Sequence, residues 1–333
     1  MATIHDVAKK AGVSVATVSR VINDSHKVSG PVREKVQEAV ADLHYTPNLI
    51  GKNLRRKYTK TILVLVPFIS EVYFGEIVRG VEDYSRQAGY KIILCNTENS
   101  VEREREYLDY AKNKLADGAV WIDARMPTKE ANMYASFVPL VQCNEYRREF
   151  KVPAIAIDEE GAAFDMVSYL IKKGHRRIAF LDSSIPYMAS INRAKGYARA
   201  LESAGLPYDT SLQIKCDYTF EGARDKTKEL LTRDITPDAL FCTSDIMAAA
   251  ARFVFYENGI RIPDDISLAS IDDEPISYMA YPAITTVHPP RYEMGTVAME
   301  ALLSCIQGTY SEEKQVHFLP HYLVERQSIK SKI

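Results

Sequence analysis

Between Ser14 and Asn23 the chain carries residues whose types and spacing suit contact with nucleic-acid bases. At helical spacing, Ala16, Ser19, Arg20 and Asn23 fall on one side of the segment, while Val18, Val21 and Ile22 fall on the other. Val15 and Ala16 are small enough for close approach and can touch thymine methyls. Arg20 can fork onto guanine O6 and N7, and Thr17, Ser19 and Asn23 are natural phosphate donors. An ordinary surface helix with one arginine is the competing reading, and the flanking sequence weighs against it.

Those flanks are the elements that must position the face. Thr3 can cap a first helix, with Asp6 answering three residues later. Val7, Ala8 and Ala11 give that helix one apolar side, and Gly12 stops it. Ser14 caps the second helix. A third, capped by Ser29 and led by Pro31, presents Val36, Ala39, Val40 and Leu43 on one stripe and ends near Tyr45-Thr-Pro47. Asn48 can cap a further short helix, Leu49 to Leu54, before the basic run Arg55-Arg56-Lys57. With few apolar residues and Gly51 inside it, that segment alone in water should be mostly unfolded, so binding could fold it.

Residues 1–60 hold eleven Lys and Arg against five Asp and Glu, a net charge of +6. The rest holds 31 against 39, a net charge of −8. A basic head on an acidic body suits a protein that grips phosphates at one end only. Simple solvated surface is the alternative.

The segment closely resembles the headpiece of the LacI/GalR family of bacterial transcription regulators, through Ile4-His-Asp-Val-Ala8, Ala11-Gly-Val-Ser14, Ala16-Thr-Val-Ser-Arg-Val21, Val28-Ser29 and Tyr45-Thr-Pro-Asn48. The resemblance implies base reading by Val15, Ala16, Ser19 and Arg20. It also implies a hinge helix at 49–56 whose Leu54 would wedge between base steps in the minor groove. Gly51 stands where many relatives have alanine, which should make the hinge harder to fold by ~1 kcal/mol.

With 333 residues, 46% of them hydrophobic, and no uninterrupted apolar run near 18 residues, the chain reads as a multidomain protein outside the membrane. The N-terminus lacks an apolar signal segment, so a cytoplasmic location is expected. The cysteines at 95, 143, 216, 242 and 305 show no Cys-x-x-Cys spacing and read as reduced core residues. The seven histidines are scattered, and neither a nucleophile elbow, a phosphate loop, a dinucleotide fingerprint nor a metal cluster is visible. An enzyme, a cofactor and a metal are therefore not expected. His175, after Gly174, reads as complementing helix-end carbonyls.

From Thr61 onward, apolar runs alternate with amphipathic helices, predicting strands at 61–67, 90–95, 118–122 and 138–142 and helices near 75–88 and 102–116. After Ile155-Ala-Ile-Asp158 the rhythm restarts, with strands at 177–182, 212–216, 238–242 and 266–270 and helices at 160–173, 190–204, 219–232 and 245–258. Two parallel-sheet units with a cleft at their strand ends follow. The loop after the first strand brings Phe68, Glu71, Tyr73 and Phe74 to the mouth of that cleft, where aromatic faces suit a sugar ring or a nucleobase.

The resemblance extends over the chain through Gly174-His-Arg-Arg-Ile-Ala-Phe180, Arg193-Ala-Lys-Gly-Tyr197, Thr243-Ser-Asp-Ile-Met-Ala248, Ser270-Ile-Asp-Asp273 and Ile284-Thr-Thr-Val287. It implies an α/β protein: an N-terminal three-helix helix-turn-helix headpiece with hinge helix, then a periplasmic-binding-protein-like core of two doubly wound parallel-sheet subdomains. The implied divisions are 1–46 for the headpiece, 47–60 for hinge and linker, 61–157 plus 289–318 for one subdomain, and 158–288 plus 319–328 for the other.

By the same resemblance Asn144, Arg193, Tyr218, Ser244 and Asp272 point into an effector site. Arg193 can donate and Asp272 accept there, with a purely structural ion pair as the alternative. Asp245 reads as the cap of its helix. Asn144 and Ser244 depart from residues common in sugar-binding relatives, and Arg147 and Arg148 raise a sugar acid or sugar phosphate beside a neutral sugar. Implied partners are double-stranded operator DNA, a small-molecule effector and a second copy of the chain. With no heptad tail after Val324–Ser328, a dimer is expected. The core is similar to the catabolite-control branch, which answers to a phosphorylated carrier protein, but Glu300 stands where that branch has basic docking residues, which ranks this partner below a small effector. A solute-binding sensor without a DNA role is the remaining alternative.

Overall fold

Thr3 opens the first helix, α1 (Ile4–Ala11), through the reciprocal cap that its spacing to Asp6 allows: Asp6 N donates to the Thr3 hydroxyl, and Thr3 N donates to the Asp6 carboxylate at 2.8 Å. Gly12 ends the helix at φ 65°, in the left-handed region. This computed structural model describes residues 2–22, 28–46, 58–185, 187–233, 235–279, 281–311 and 315–333. They form two compact units, Met1–Thr59 and Lys60–Ile333.

In the first unit, Ser14 Oγ accepts from Thr17 N at 3.1 Å at the head of α2 (Val15–Ile22). Ser29 precedes α3 (Gly30–Asp42), but its side chain makes no capping bond, and Pro31 sets the first turn instead. Val7, Ala8, Val18, Val21, Val36 and Ala39 bury one another, with Val40 and Leu43 packed alongside. The expected hinge helix lies outside the described residues.

The second unit contains two six-stranded sheets. The first comprises β1 (Thr61–Val66), β2 (Lys91–Asn96), β3 (Gly118–Ile122), β4 (Leu140–Cys143), β5 (Ala154–Ile157) and β11 (Val316–Leu319), in the order β11-β5-β4-β3-β1-β2. The second comprises β6 (Ile178–Ser183), β7 (Gln213–Cys216), β8 (Ala239–Cys242), β9 (Ser267–Ile271), β10 (Thr285–His288) and β12 (Tyr322–Val324), in the order β12-β10-β9-β8-β6-β7. Pairing is parallel except between β10 and β12. Central strands such as Thr61-Ile-Leu-Val-Leu-Val66 are apolar on both faces because helices cover both faces of a parallel sheet.

The covering helices are α4 (Val72–Gln87), α5 (Val101–Lys112), α6 (Thr128–Ala135), α7 (Glu159–Lys172), α8 (Met188–Ser203), α9 (Phe220–Thr232), α10 (Asp245–Glu257), the short α11 (Pro275–Tyr278) and α12 (Arg291–Gln307). The chain passes between sheets after β5, after β10 and after β11. Helix α6 was not expected from the sequence, and α5 ends four residues before its predicted limit.

Glycine permits two close helix contacts. A Cβ on Gly80 of α4 would lie 2.1 Å from Tyr292 O, and one on Gly196 of α8 would lie 2.1 Å from Glu160 O. The four cysteines on strands are buried and reduced, and Cys305 is half-buried. His175 is also buried. Its Nε2 meets Lys330 O at 3.1 Å, so the side chain ties down the C-terminal segment, and only its backbone N–H serves the preceding helix end, donating to Leu170 O at 3.1 Å.

Candidate functional site

In the first unit the two faces of α2 separate as their residue types require. Val18 and Val21 are buried, Ala16 and Arg20 are exposed, and Val15, Thr17 and Ser19 are half-buried. Arg20 has no ion pair among the described residues, which leaves its guanidinium available. Ser14 Oγ and Thr17 Oγ1 lie 2.9 Å apart, and Thr3 Oγ1 donates to Asp6 at 2.8 Å, so these hydroxyls also build the helix starts. Asn23, Asn48, Gly51 and Leu54 lie outside the described residues.

In the second unit, polar residues converge at the carboxyl ends of strands from both sheets. From the first sheet, Tyr73 Oη donates to Asn144 Oδ1 at 2.7 Å, and Asn144 Nδ2 donates to Asp123 Oδ1 at 2.9 Å. Asp123, Asn144 and Asp272 hold φ values of 53°, 73° and 120° at their strand ends. Left-handed backbone at non-glycine positions gathers at sites where a side chain must be aimed.

From the second sheet, Arg193 Nε donates to Glu159 at 2.6 Å, its Nη1 donates to Thr243 O, and its Nη2 lies 3.6 Å from Asp272 Oδ1. Arg193 thus has two firm protein partners and only a loose third. Burial opposes its charge, but Glu159, Tyr218 and Asp272 hold it protonated. Burial pushes the Asp272 carboxyl up, with Arg193 opposing and Asp245 and Glu274 adding to the rise. Burial, then Asp272 and Glu159, push the Tyr73 phenol up, so it stays a donor toward Asn144. Tyr218 places its hydroxyl 3.3 Å from Ser190 Oγ and its ring 5.9 Å from that of Tyr187. Burial pushes its phenol up to about 12.

The structure corrects several expectations. Ser244, not Asp245, caps α10, its Oγ accepting from Met247 N at 3.4 Å. Asp245 is a buried anchor that accepts from Thr286 Oγ1 at 2.9 Å, Glu274 N at 2.6 Å and the Ser270 hydroxyl. Phe74 is 6% exposed and belongs to the core of the first sheet, so Tyr73 alone of the α4 aromatics faces the cleft. Phe68 is half-buried and Glu71 exposed at the head of α4. Arg147 donates to Met126 O at 3.0 Å and Arg148 lies over the Tyr146 ring, so neither joins the cleft cluster.

Sequence reasoning missed Glu159, Asp123, Arg125, Glu145, Tyr187 and Arg291. Asp123 had a readable signal, a polar residue directly after an apolar strand, as at Asn144 and Asp272. Arg125 donates to Glu145 at 2.8 Å and lies 4.2 Å over the Tyr187 ring. The guanidinium of Arg291 lies 5.2 Å over Tyr73.

Two comparisons decide what carries this arrangement. Residues 3–48 match the model of bacterial regulatory proteins of the lacI family, and residues 167–329 match a periplasmic binding protein-like domain. Catabolite control protein A of Priestia megaterium is 35% identical over 332 residues, spanning 98% of this chain and 99% of that protein. The chain belongs to the LacI family.

Within the family, the transcriptional repressor CytR of Escherichia coli is 34% identical over 93% of this chain and 91% of its own. A lac repressor dimer bound to operator and an anti-inducer matches with a TM-score of 0.86 at 26% identity, over 99% of both chains. A complex of the regulator CelR with cellobiose matches with a TM-score of 0.74 at 30% identity, over 98% of this chain and 100% of that one. This LacI-family chain is accordingly a transcriptional regulator and not an enzyme, with a DNA-binding domain and a sugar-binding-like core. Among the described residues, no helix is long and apolar enough to cross a membrane.

Proposed function

We propose that the chain is a cytoplasmic repressor that binds a palindromic operator as a homodimer, and that a small polar metabolite in the cleft changes its affinity for DNA. The observation that carries the effector half is the convergence of Tyr73 and Asn144 from one sheet with Arg193, Tyr218 and Asp272 from the other. A molecule held between them contacts both sheets, so its binding energy depends on how the sheets are set. The DNA half rests on the capped helical pair with Ala16 and Arg20 outward. One such helix reads one half-site, and a two-fold dimer reads an inverted repeat.

The effector is a sugar or sugar derivative in this reading, supported by the cellobiose complex of the CelR relative. With Arg147 and Arg148 directed elsewhere, the case for a sugar acid or phosphate weakens. A phosphorylated carrier protein would need cations on α12, whose exposed residues are Glu293, Glu300 and Gln307. Control is therefore assigned to the cleft.

The test is a titration of operator-bound protein with neutral sugars, nucleosides and a phosphorylated carrier protein. A sugar or nucleoside that shifts DNA affinity by tenfold supplies about 1.4 kcal/mol of coupling, within reach of a few hydrogen bonds. A response to the carrier alone would reject the cleft as the control site.

A further inference from the structure

At the ends of the first sheet's strands opposite to the cleft, a pocket of about 310 Å³ opens between the starts of β4 and β5. Its walls include Phe137 and Pro139 from the turn between α6 and β4, Lys151 and Pro153 on the approach to β5, and Cys305 in the last turn of α12. Phe137 is 53% exposed, and Met133, one turn earlier on α6, is 43% exposed. Large apolar side chains gathered around a concavity mark contact surfaces, whereas scattered ones do not.

Hydrogen bonds hold the walls in place before anything binds. Asn132 Nδ2 donates to Glu149 O at 2.9 Å, and its Oδ1 accepts from Lys151 N at 2.7 Å. Pro139 O accepts from Ala119 N at 3.0 Å, and Pro153 O accepts from Gln142 N at 2.8 Å. A ligand therefore loses little affinity to the ordering of this surface.

The charge beside the pocket is the reverse of the charge on the rest of the body. Lys151 is the one charged residue among the walls, and the Lys112 ammonium at the end of α5 lies 5.7 Å from the centroid of the Phe137 ring. Neither lysine has an ion pair among the described residues. Of the neighbouring carboxylates, Asp109 accepts from Tyr134 Oη at 2.9 Å and Glu130 pairs with Arg105 at 2.6 Å. Glu149 is exposed but does not line the pocket. On a body whose net charge is −8, two unpaired lysines at an apolar opening repel cations and draw an anion. The volume lies at the lower end of the usual range for small-molecule sites, about 300–1,000 Å³, and apolar surface continues beyond it to Met133. One anchoring side chain of a longer segment fits such a surface better than a metabolite enclosed on all sides.

We propose that this pocket docks a short acidic segment of another protein, with one large apolar side chain seated between Phe137 and Pro153 and flanking carboxylates paired with Lys112 and Lys151. The docking goes beyond the effector-controlled operator binding proposed above and does not depend on it.

The test pans short random displayed peptides on the full chain, with counter-selection on Phe137→Ser, which keeps both lysines and the basic headpiece. Recovered peptides should carry Asp or Glu on either side of a Phe, Trp or Leu. A recovered peptide should bind the double variant Lys112→Glu, Lys151→Glu about tenfold or more weakly than the unaltered chain. Its charge-reversed copy, with Lys in place of Asp and Glu, should prefer the double variant, which also shows that the variant is folded. The original peptide should slow alkylation of Cys305 by iodoacetamide, the other four cysteines being buried. No peptide surviving counter-selection, recovered sequences without carboxylates, equal affinity for both chains, or unchanged labelling of Cys305 would each overturn the docking surface.

Discussion

Glu145 and Ala189 join the two sheets of the core: the Glu145 carboxylate accepts from Ala189 N across the cleft at 3.3 Å, with Arg125 Nη1 on its other oxygen at 2.8 Å. Ala189 sits in the first turn of α8, where backbone N–H groups lack intrahelical partners and attract negative charge. One element of the first sheet's lobe thus completes a helix of the other.

The burial of Glu145 should make core stability depend on pH, with the contacts to Arg125 and Ala189 N opposing the shift without cancelling it. Burial, then the Asp123 charge, push the Glu145 carboxyl from 4.5 up to about 7. A carboxyl whose folded pKa is raised binds its proton more tightly in the folded form, so its contribution is complete below about pH 4.5 and is lost as pH rises through 7. Glu145→Gln should remove that loss, worth on the order of 1–3 kcal/mol. Thermal unfolding of both proteins between about pH 5 and pH 8 reads it. Identical slopes would show that Glu145 does not carry the titration.

Arg20→Ala should weaken operator binding by ~1–3 kcal/mol and relax preference at one base of each half-site. Competition between the best site and its single-base variants measures this. An equal loss on random duplex would mean that Arg20 meets phosphate only.

Asp272→Asn keeps the shape of the cleft and halves its accepting capacity, at a position that is 7% exposed and only loosely bound by Arg193. The effector response should fall by about tenfold or more in half-saturating concentration, with DNA affinity in its absence unchanged. Replacing Arg193 is the poorer probe, because it would strand the buried Glu159. A normal dose-response in Asp272→Asn would remove that residue from the site.

Gly196→Ala and Gly75→Ala form a contrasting pair. The first puts a methyl 2.1 Å from Glu160 O and must push α7 and α8 apart, lowering stability by ~1–3 kcal/mol. The second meets nothing within 4 Å and should be neutral or stabilising by about 0.5–1 kcal/mol. Denaturant titration separates them, and similar losses for both would contradict the close approach of the helices.

What was legible in the sequence was what is decided locally. The Thr3–Asp6 cap, the Gly12 stop and the two faces of α2 depend on residues within one turn, and the apolar strands on runs of their own side chains. The first turn of α6 begins with Pro127-Thr128, which reads as a turn, and its buried Ala131 and Tyr134 form too short a stripe to announce a helix. The exchange of roles between Ser244 and Asp245 could not be read, because Asp245 finds its partners at Ser270, Glu274 and Thr286, distant in the chain. The same holds for the arginines. Arg147 and Arg148 stand beside Asn144 in sequence yet turn away, while Arg291 reaches Tyr73 from the helix that follows β10.

Operator control in the proposed function requires a headpiece that reads duplex DNA as a symmetric pair. Selection of bound fragments from a random duplex pool by the full chain at about 0.15 M salt, followed by sequencing, tests this most directly. The expected outcome is an inverted repeat that competes at least about 10³-fold better than scrambled duplex and is bound by two chains. Recovered fragments without a symmetric motif, or binding that follows charge alone, would contradict it.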